Sequence, residues 1–212
     1  MTVSRDTETR DRLLQAAEQL FADRGFKNVT VRDICRAARA NVAAVNYHFG
    51  DKIGLYREVL QSAIDAMRGT NEAARQAGTG QAAEEQLRRY IAVLVQRLLG
   101  PGTATVHKLV TREMNEPTPA LDAVVEQAVR PRIEYLSSVI ATIIGCETSE
   151  PRVLRCVASV QAQILSYLPN PIAGRLGLAN EPTAANLRDI ADHVAEFSLA
   201  GIHAVGRAVH AR

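Results

Sequence analysis

The stretch TVRDICRAARANVAAVNYHFGDK, residues 30–52, decides how the rest of this chain is read. Thr30 followed three residues later by Asp33 has the form of a capping box, in which each side chain accepts from the other's backbone N–H. It predicts a short helix from Thr30 to about Ala38. Asn41 is a good N-cap and predicts a second helix over 41–49, joined to the first by Arg39-Ala40. Two short helices with a tight link have the form of a helix-turn-helix, whose second helix enters the major groove of DNA.

The helical period sorts the second helix into two faces. Val45 and Phe49 face a core with Leu20, Phe21 and Ile34, while Val42, Ala43, Asn46 and Tyr47 lie opposite. Small side chains on that opposite face allow close approach to base edges. Val and Ala reach only thymine methyls, whereas Asn can pair bidentately with adenine. Tyr47, His48 and Lys52 suit phosphate contacts, which fix position without reading sequence. Lys52 also falls in the first turn of the next helix, which Asp51 can cap, where backbone N–H groups help to hold an anion. Arg32, Arg36 and Arg39 follow i, i+4, i+7 and form one basic stripe. Arg32, near its helix N-terminus, is the candidate for a guanine contact; Arg36 is expected on a solvated face.

Charge distribution leans the same way. Residues 1–52 hold nine Lys/Arg and seven Asp/Glu, and the remaining residues hold equal numbers of each, so the net +2 lies in the first quarter. That small excess favours an anionic partner. The chain of 212 residues is 47% hydrophobic but only 4% aromatic, with Ala, Leu, Arg and Glu recurring, which favours helices over sheets. Cys35, Cys146 and Cys156 are scattered and form no CxxC pair, as expected of reduced thiols in a cytoplasmic protein. The charged N-terminus has no apolar h-region, so no signal peptide is expected. The apolar runs are too short for a membrane span.

Apolar residues recur at helical spacing along the rest of the chain. The stripes include Leu13, Ala17, Leu20 and Phe21 before Gly25, and Tyr56 to Met67 after Asp51. Further stripes are Leu87, Tyr90, Ile91, Leu94, Val95 and Leu98, a shorter one over 104–115, and Leu121 to Ile143. Pro131 inside that last stripe predicts a kink. Helices follow over 152–168 and 184–208, separated by the Pro- and Gly-rich loop 169–183. About nine helices and no strand result: an all-α fold. A helix-turn-helix domain over 1–52 is expected to precede a helical bundle over 53–212.

The residues LLQAAEQLFADRGFKNVTVRDICRAARANVAAVNYHFGDKIGLYREVL, with their F…GF…T.R.I…A pattern and YHF.DK ending, resemble the DNA-binding domain of the TetR family (AcrR-type) of transcriptional regulators over residues 10–60. The stretch REMNEPTPALDAVVEQAVRPRIEYL, 112–136, is similar to the subgroup of that family represented by CecR, a resemblance extending over about 105–170. The resemblance implies an all-α homodimeric repressor. Its headpiece would bind a palindromic operator in double-stranded DNA, and its C-terminal domain a small molecule that releases DNA. The subgroup implies control of transporter or stress genes. By position, Thr30, Arg32, Tyr47, His48 and Lys52 match DNA-contacting residues, and Val42, Ala43, Ala44 and Asn46 match the base-reading face. Two departures stand out. The inter-helix turn carries Arg39 where Gly is usual, which costs free energy if φ is positive there. Asn46 stands where an aromatic is common, so base preference should differ.

Arg112, Glu113, Tyr135, Gln161 and Tyr167 are polar or amphipathic residues in or beside apolar stripes, and are candidates to line a ligand pocket. Satisfied core or interface groups would show the same pattern. Helices 152–168 and 184–208 are the candidate dimer contact, the latter with small residues Ala200, Gly201, Ala204 and Ala208 that permit close helix approach. His193, His203 and His210 share the last helix with Asp189, but no HExxH or Cys cluster accompanies them, so interface polarity is preferred to a metal site. No GxSxG, phosphate loop or paired catalytic carboxylates point to an enzyme, and no cofactor is expected.

Overall fold

A computed structural model of the chain describes residues 2–100, 104–168, 174–176 and 183–207. The described residues form helices and no strand. In chain order these are α1 (Thr2–Arg24), α2 (Val31–Ala38), α3 (Val42–Phe49), α4 (Lys52–Ala77), α5 (Ala83–Leu99), α6 (Ala104–Asn115), α7 (Leu121–Val124), a π-helical turn (Val125–Val129), α8 (Arg130–Ile144), α9 (Pro151–Ser166) and α10 (Ala184–Arg207). Most of the loop expected over 169–183, together with Ala208 and His210, lies outside the described residues.

The chain packs as two units, residues 1–67 with 104–127 and residues 68–103 with 128–212. The first packing unit thus reaches well past the helix-turn-helix and draws in α6 and α7. Its core joins Leu13, Ala17 and Phe21 of α1, Ile34 of α2, Val45 and Phe49 of α3, Leu55, Tyr56, Val59 and Leu60 of α4, and Leu109 of α6. Tyr56 packs edge-on against Phe21 at 4.9 Å between centroids. Its hydroxyl donates to the carboxylate of Glu113, which is fully buried and also accepts from the backbone N–H and hydroxyl of Thr118. Burial first, and then that hydrogen bond, push the Tyr56 hydroxyl far above its ordinary pKa.

The end of α1 is held by α6. Gly25 takes φ +79° and closes the helix, as a left-handed C-terminal glycine does. The Arg112 guanidinium then donates to the carbonyls of Ala22 and Asp23, two of the acceptors that a helix end leaves without intrahelical donors.

The second unit is a bundle of α5, α8, α9 and α10 with the end of α4. Its core includes Leu87, Tyr90, Ile91 and Leu94 of α5, Leu136 and Ile140 of α8, Val153 and Val160 of α9, and Leu187, Val194 and Ile202 of α10. The disturbance expected at Pro131 takes the form of the π-helical turn directly before it. Proline has no N–H to close an α-helical bond, and Pro131 sits in the first turn of α8, where that loss is harmless. The side-chain amide of Asn71 donates to the Ala128 carbonyl at 3.0 Å within the disturbed turn.

Candidate nucleic-acid interface

The capping box at Thr30 is formed in both directions. The Thr30 hydroxyl oxygen accepts from the Asp33 N–H at 3.2 Å, and the Asp33 carboxylate accepts from the Thr30 N–H at 3.0 Å. The Thr30 hydroxyl also donates to that carboxylate at 2.6 Å. These bonds hold the Asp33 carboxyl below its usual pKa. Asn41 caps α3 by accepting from the Ala43 N–H at 3.0 Å. Between the two helices Arg39 adopts φ 51° and ψ 47°, so the left-handed turn position is filled by a residue with a Cβ. Its N–H donates to the Arg36 and Cys35 carbonyls, which closes α2.

The faces of α3 divide as expected. Val45 and Phe49 are buried. Val42, Ala43 and Asn46 are exposed, and Tyr47 is 76% exposed, the most prominent apolar surface on the helix. Ala44 is half-buried and packs against the headpiece core, which turns it partly away from the reading face. His48, expected at a phosphate, is largely covered. Its side chain is only 8% exposed, with Nε2 3.4 Å from Asp6 Oδ1 on α1. Its ring lies between those of Tyr47 and Phe49. The imidazole thus lies between α3 and α1.

Lys52 opens α4 with Nζ 4.2 Å from the centroid of the Phe26 ring. A cation over an aromatic face is attracted to the ring's negative quadrupole, so this side chain is held before it meets any ligand. Partial burial lowers its pKa. The first turn of α4 is capped by Asp51, which accepts from the Gly54 N–H at 2.7 Å. Gly54 has a separate reason to be glycine: a Cβ there would lie 2.0 Å from the Phe49 carbonyl oxygen. The α3–α4 corner depends on that close approach. Arg32 is exposed on α2. Arg36 reaches Asp33 at 3.6 Å, consistent with a solvated face.

Residues outside the helix pair keep it in place. Arg10 of α1 pairs with Glu58 of α4 and lies over the Phe49 ring at 5.3 Å. Asp6 and Arg10 carry no motif of their own, and Phe26 belongs to the GF pattern without a role assigned by it, so only the fold shows their part in positioning α3 and Lys52.

The five candidate pocket residues are divided between the units. Arg112 and Glu113 belong to the first, where they make the structural bonds described above. Arg112 also borders an open groove of about 300 Å³ with Ala22, Asp23, His107, Lys108 and Thr111. Lys108 bonds Asp23 across it at 3.0 Å, and burial lowers the pKa of His107. Tyr135, Gln161 and Tyr167 are half-buried residues of the second unit. His203 pairs with Glu84 at 3.0 Å. No cluster among the described residues could hold a metal ion.

This headpiece geometry agrees with comparisons against known proteins. Residues 13–59 match the sequence model of bacterial regulatory proteins of the tetR family. Residues 83–202 match that of the C-terminal domain of the HTH-type transcriptional dual regulator CecR. The chain belongs to the TetR family. Within it, the chain is 28% identical over 169 residues to the transcriptional dual regulator CecR of Shigella flexneri, covering 76% of this chain and 75% of CecR. The fold of TetR-family regulators is shared with SCO4454 of Streptomyces coelicolor, at TM-score 0.62 and 22% identity over 96% of each chain. It is also shared with AibR in complex with isovaleryl coenzyme A and operator DNA, at TM-score 0.67 and 14% identity, over 89% of this chain and 97% of AibR. CecR and SCO4454 are both transcriptional regulators by description. No described helix is long and apolar enough to cross a membrane.

Proposed function

We propose that this TetR-family regulator is a homodimeric repressor that binds a palindromic operator and releases it when a small molecule occupies its C-terminal part. The observation that carries the reading is the exposed face of α3, with Val42, Ala43, Asn46 and Tyr47 free of the core while Val45 and Phe49 anchor the helix. Asn46 is the hydrogen-bonding base reader on that face. Arg32 adds a second reader from α2, and Tyr47 and Lys52 hold phosphates, with Thr30 beside them at the N-terminus of α2. Ala44 and His48 act from behind, as packing and tether. Residues 1–52 are the DNA-binding domain in this reading and 53–212 the effector-binding and dimerisation domain, although α6 and α7 pack with the headpiece.

Dimerisation is supported by the exposed apolar residues of the second unit. Leu154 and Leu165 on α9 are 50% and 46% exposed, and Phe197 on α10 is 63% exposed. Ala200, Gly201 and Ala204 on α10 are exposed as well, and a Cβ on Gly201 would meet nothing within 4 Å of its own chain. Large apolar side chains beside small ones suit close packing against a second copy. Two headpieces would then span half-sites about 34–36 Å apart, or somewhat more. An effector that favours a conformer with another spacing would weaken operator binding by a population shift. AibR, with both operator DNA and an acyl coenzyme A bound, supports two-ligand behaviour for this fold.

The test is retardation of DNA from the protein's own promoter region at low salt, without added ligand. Absence of any retarded species would sink the proposal. Where retardation occurs, Lys52→Ala should weaken binding to all sequences alike and reduce the salt slope by about 1. Asn46→Ala should instead relax preference at one base pair, by about 1–3 kcal/mol. Identical behaviour of the two variants across operator variants would overturn the division of roles on α3.

A further inference from the structure

Several buried donors of the second unit have nothing to donate to, and three of them belong together. The hydroxyls of Tyr90 and Tyr135 and the Nε of Arg132 are buried without a hydrogen-bond partner. Tyr90 is 1% exposed, and its ring lies 5.5 Å from that of Tyr135. Burial pushes the Tyr90 hydroxyl well above its ordinary pKa, and the Arg132 charge opposes that shift. The groups acting electrostatically on Tyr90 are Arg132 and the Tyr135 phenol, with no carboxylate among them. Burial likewise raises the Tyr135 pKa, opposed by the Arg75 charge. Leu87, Ile91, Leu136 and Ile140 belong to the same apolar core as Tyr90, and Tyr135 packs against it.

Native cores rarely leave such groups unpaired, and each instance calls for an explanation. Here the two phenol rings lie 5.5 Å apart and the Arg132 charge acts on the Tyr90 hydroxyl. A matching ligand therefore needs an acceptor, gains from negative charge, and needs an apolar remainder. An amine would set donors against donors and meet the Arg132 charge. A neutral amide could accept, but would forgo the stronger hydrogen bonds made to an ionised acceptor. Arg132 and Tyr135 are half-buried, so the cluster runs from the depth of Tyr90 towards solvent. We propose that Tyr90, Arg132 and Tyr135 recognise an organic carboxylate with an apolar body, and that such a compound is the effector. This rests on the reading of the second unit as part of an effector-binding domain, and names the chemical class that domain takes.

The test uses the full chain, thermal shift and calorimetric titration. Octanoate and 3-phenylpropionate are compared with octanamide and octylamine. The carboxylates should raise the melting temperature, and the amine should not. Arg132→Gln should lower octanoate affinity by about tenfold or more, with Arg132→Lys recovering part of it, because a charge-assisted bond is lost in one and kept as a point charge in the other. Tyr90→Phe and Tyr135→Phe should each lower octanoate affinity by about five- to tenfold. Tyr90→Phe should also raise the melting temperature of the free protein, because it removes a hydroxyl that the fold leaves unpaired; a merely structural tyrosine would lose stability instead. Binding of neither carboxylate, octylamine binding as well as octanoate, or unchanged affinity in Arg132→Gln would each overturn the proposal. Promoter DNA separates the two levels. Retardation by a protein that binds no carboxylate removes the effector class and leaves the regulator, whereas failure to retard DNA removes the regulator reading itself.

Discussion

The two packing units differ in how far their buried polar groups are paired. In the first, the buried Glu113 carboxylate accepts from Tyr56 and twice from Thr118, and the Arg112 guanidinium fills the carbonyls at the end of α1. In the second, Tyr90, Arg132, Tyr135 and Ser137 hold buried polar atoms without partners. Among the described residues, every such unpaired atom falls in the second unit. A fully satisfied network specifies one geometry, whereas a partly satisfied one leaves free energy to be gained from an added partner. A helix that must meet DNA in a fixed register needs the first arrangement. A unit that answers a ligand, as proposed for the second, can use the other.

The sharpest way to break this contrast is Glu113→Ala. It would leave the Tyr56 hydroxyl and the Thr118 N–H unpaired in a buried site, at about 3 kcal/mol in all, read as a lower urea midpoint. A loss below about 1 kcal/mol, the scale of an ordinary net hydrogen bond, would show that the network does not hold the first unit together. Gly54→Ala comes next. Its Cβ would force the Phe49 carbonyl to move, and overpacking of this kind costs about 1–3 kcal/mol. Because the strain falls on the α3–α4 corner, operator affinity should drop as well as thermal stability, and an unperturbed gel shift would show that the corner can relax.

Two smaller effects should have the opposite sign. Arg39→Gly removes the cost of a Cβ in a left-handed turn and should stabilise the chain by about 1 kcal/mol. Loss of operator affinity in that variant, despite the gain in stability, would show that the Arg39 side chain touches DNA. Tyr90→Phe should also stabilise, by up to about 1 kcal/mol, since an unpaired buried hydroxyl is removed. If the same change in the first unit, Tyr56→Phe, proved equally favourable, the contrast between the units would dissolve.

Where interactions run between close neighbours in sequence, the chain was legible. The Thr30–Asp33 capping box, the Asn41 cap and the split of α3 into Val45/Phe49 against Val42/Asn46 all follow from spacing within a few residues. Pro131 announced a disturbance, though not that a π-helical turn would absorb it. His48, Arg112 and Glu113 were placed by residue type beside a motif or stripe. Their partners lie far off in the chain, at Asp6, Ala22 and Tyr56, and no local pattern names such partners. Tyr90 was hidden for the opposite reason: an amphipathic residue in an apolar stripe looks like core, and only an unpaired hydroxyl distinguishes it.

What the sequence by itself determined is therefore the helical class, the helix-turn-helix and the division of α3 into a buried and an exposed face. These rest on caps and on a period that acts within one or two turns. Only the tertiary structure decided which polar residues are spent and which are still open. Long-range contacts join α6 to α1 and α4, tether His48 to α1, seat Lys52 on Phe26, and bring Tyr90, Arg132 and Tyr135 together without acceptors. Burial and pairing depend on what the distant chain brings alongside a residue, and periodicity carries no information about that.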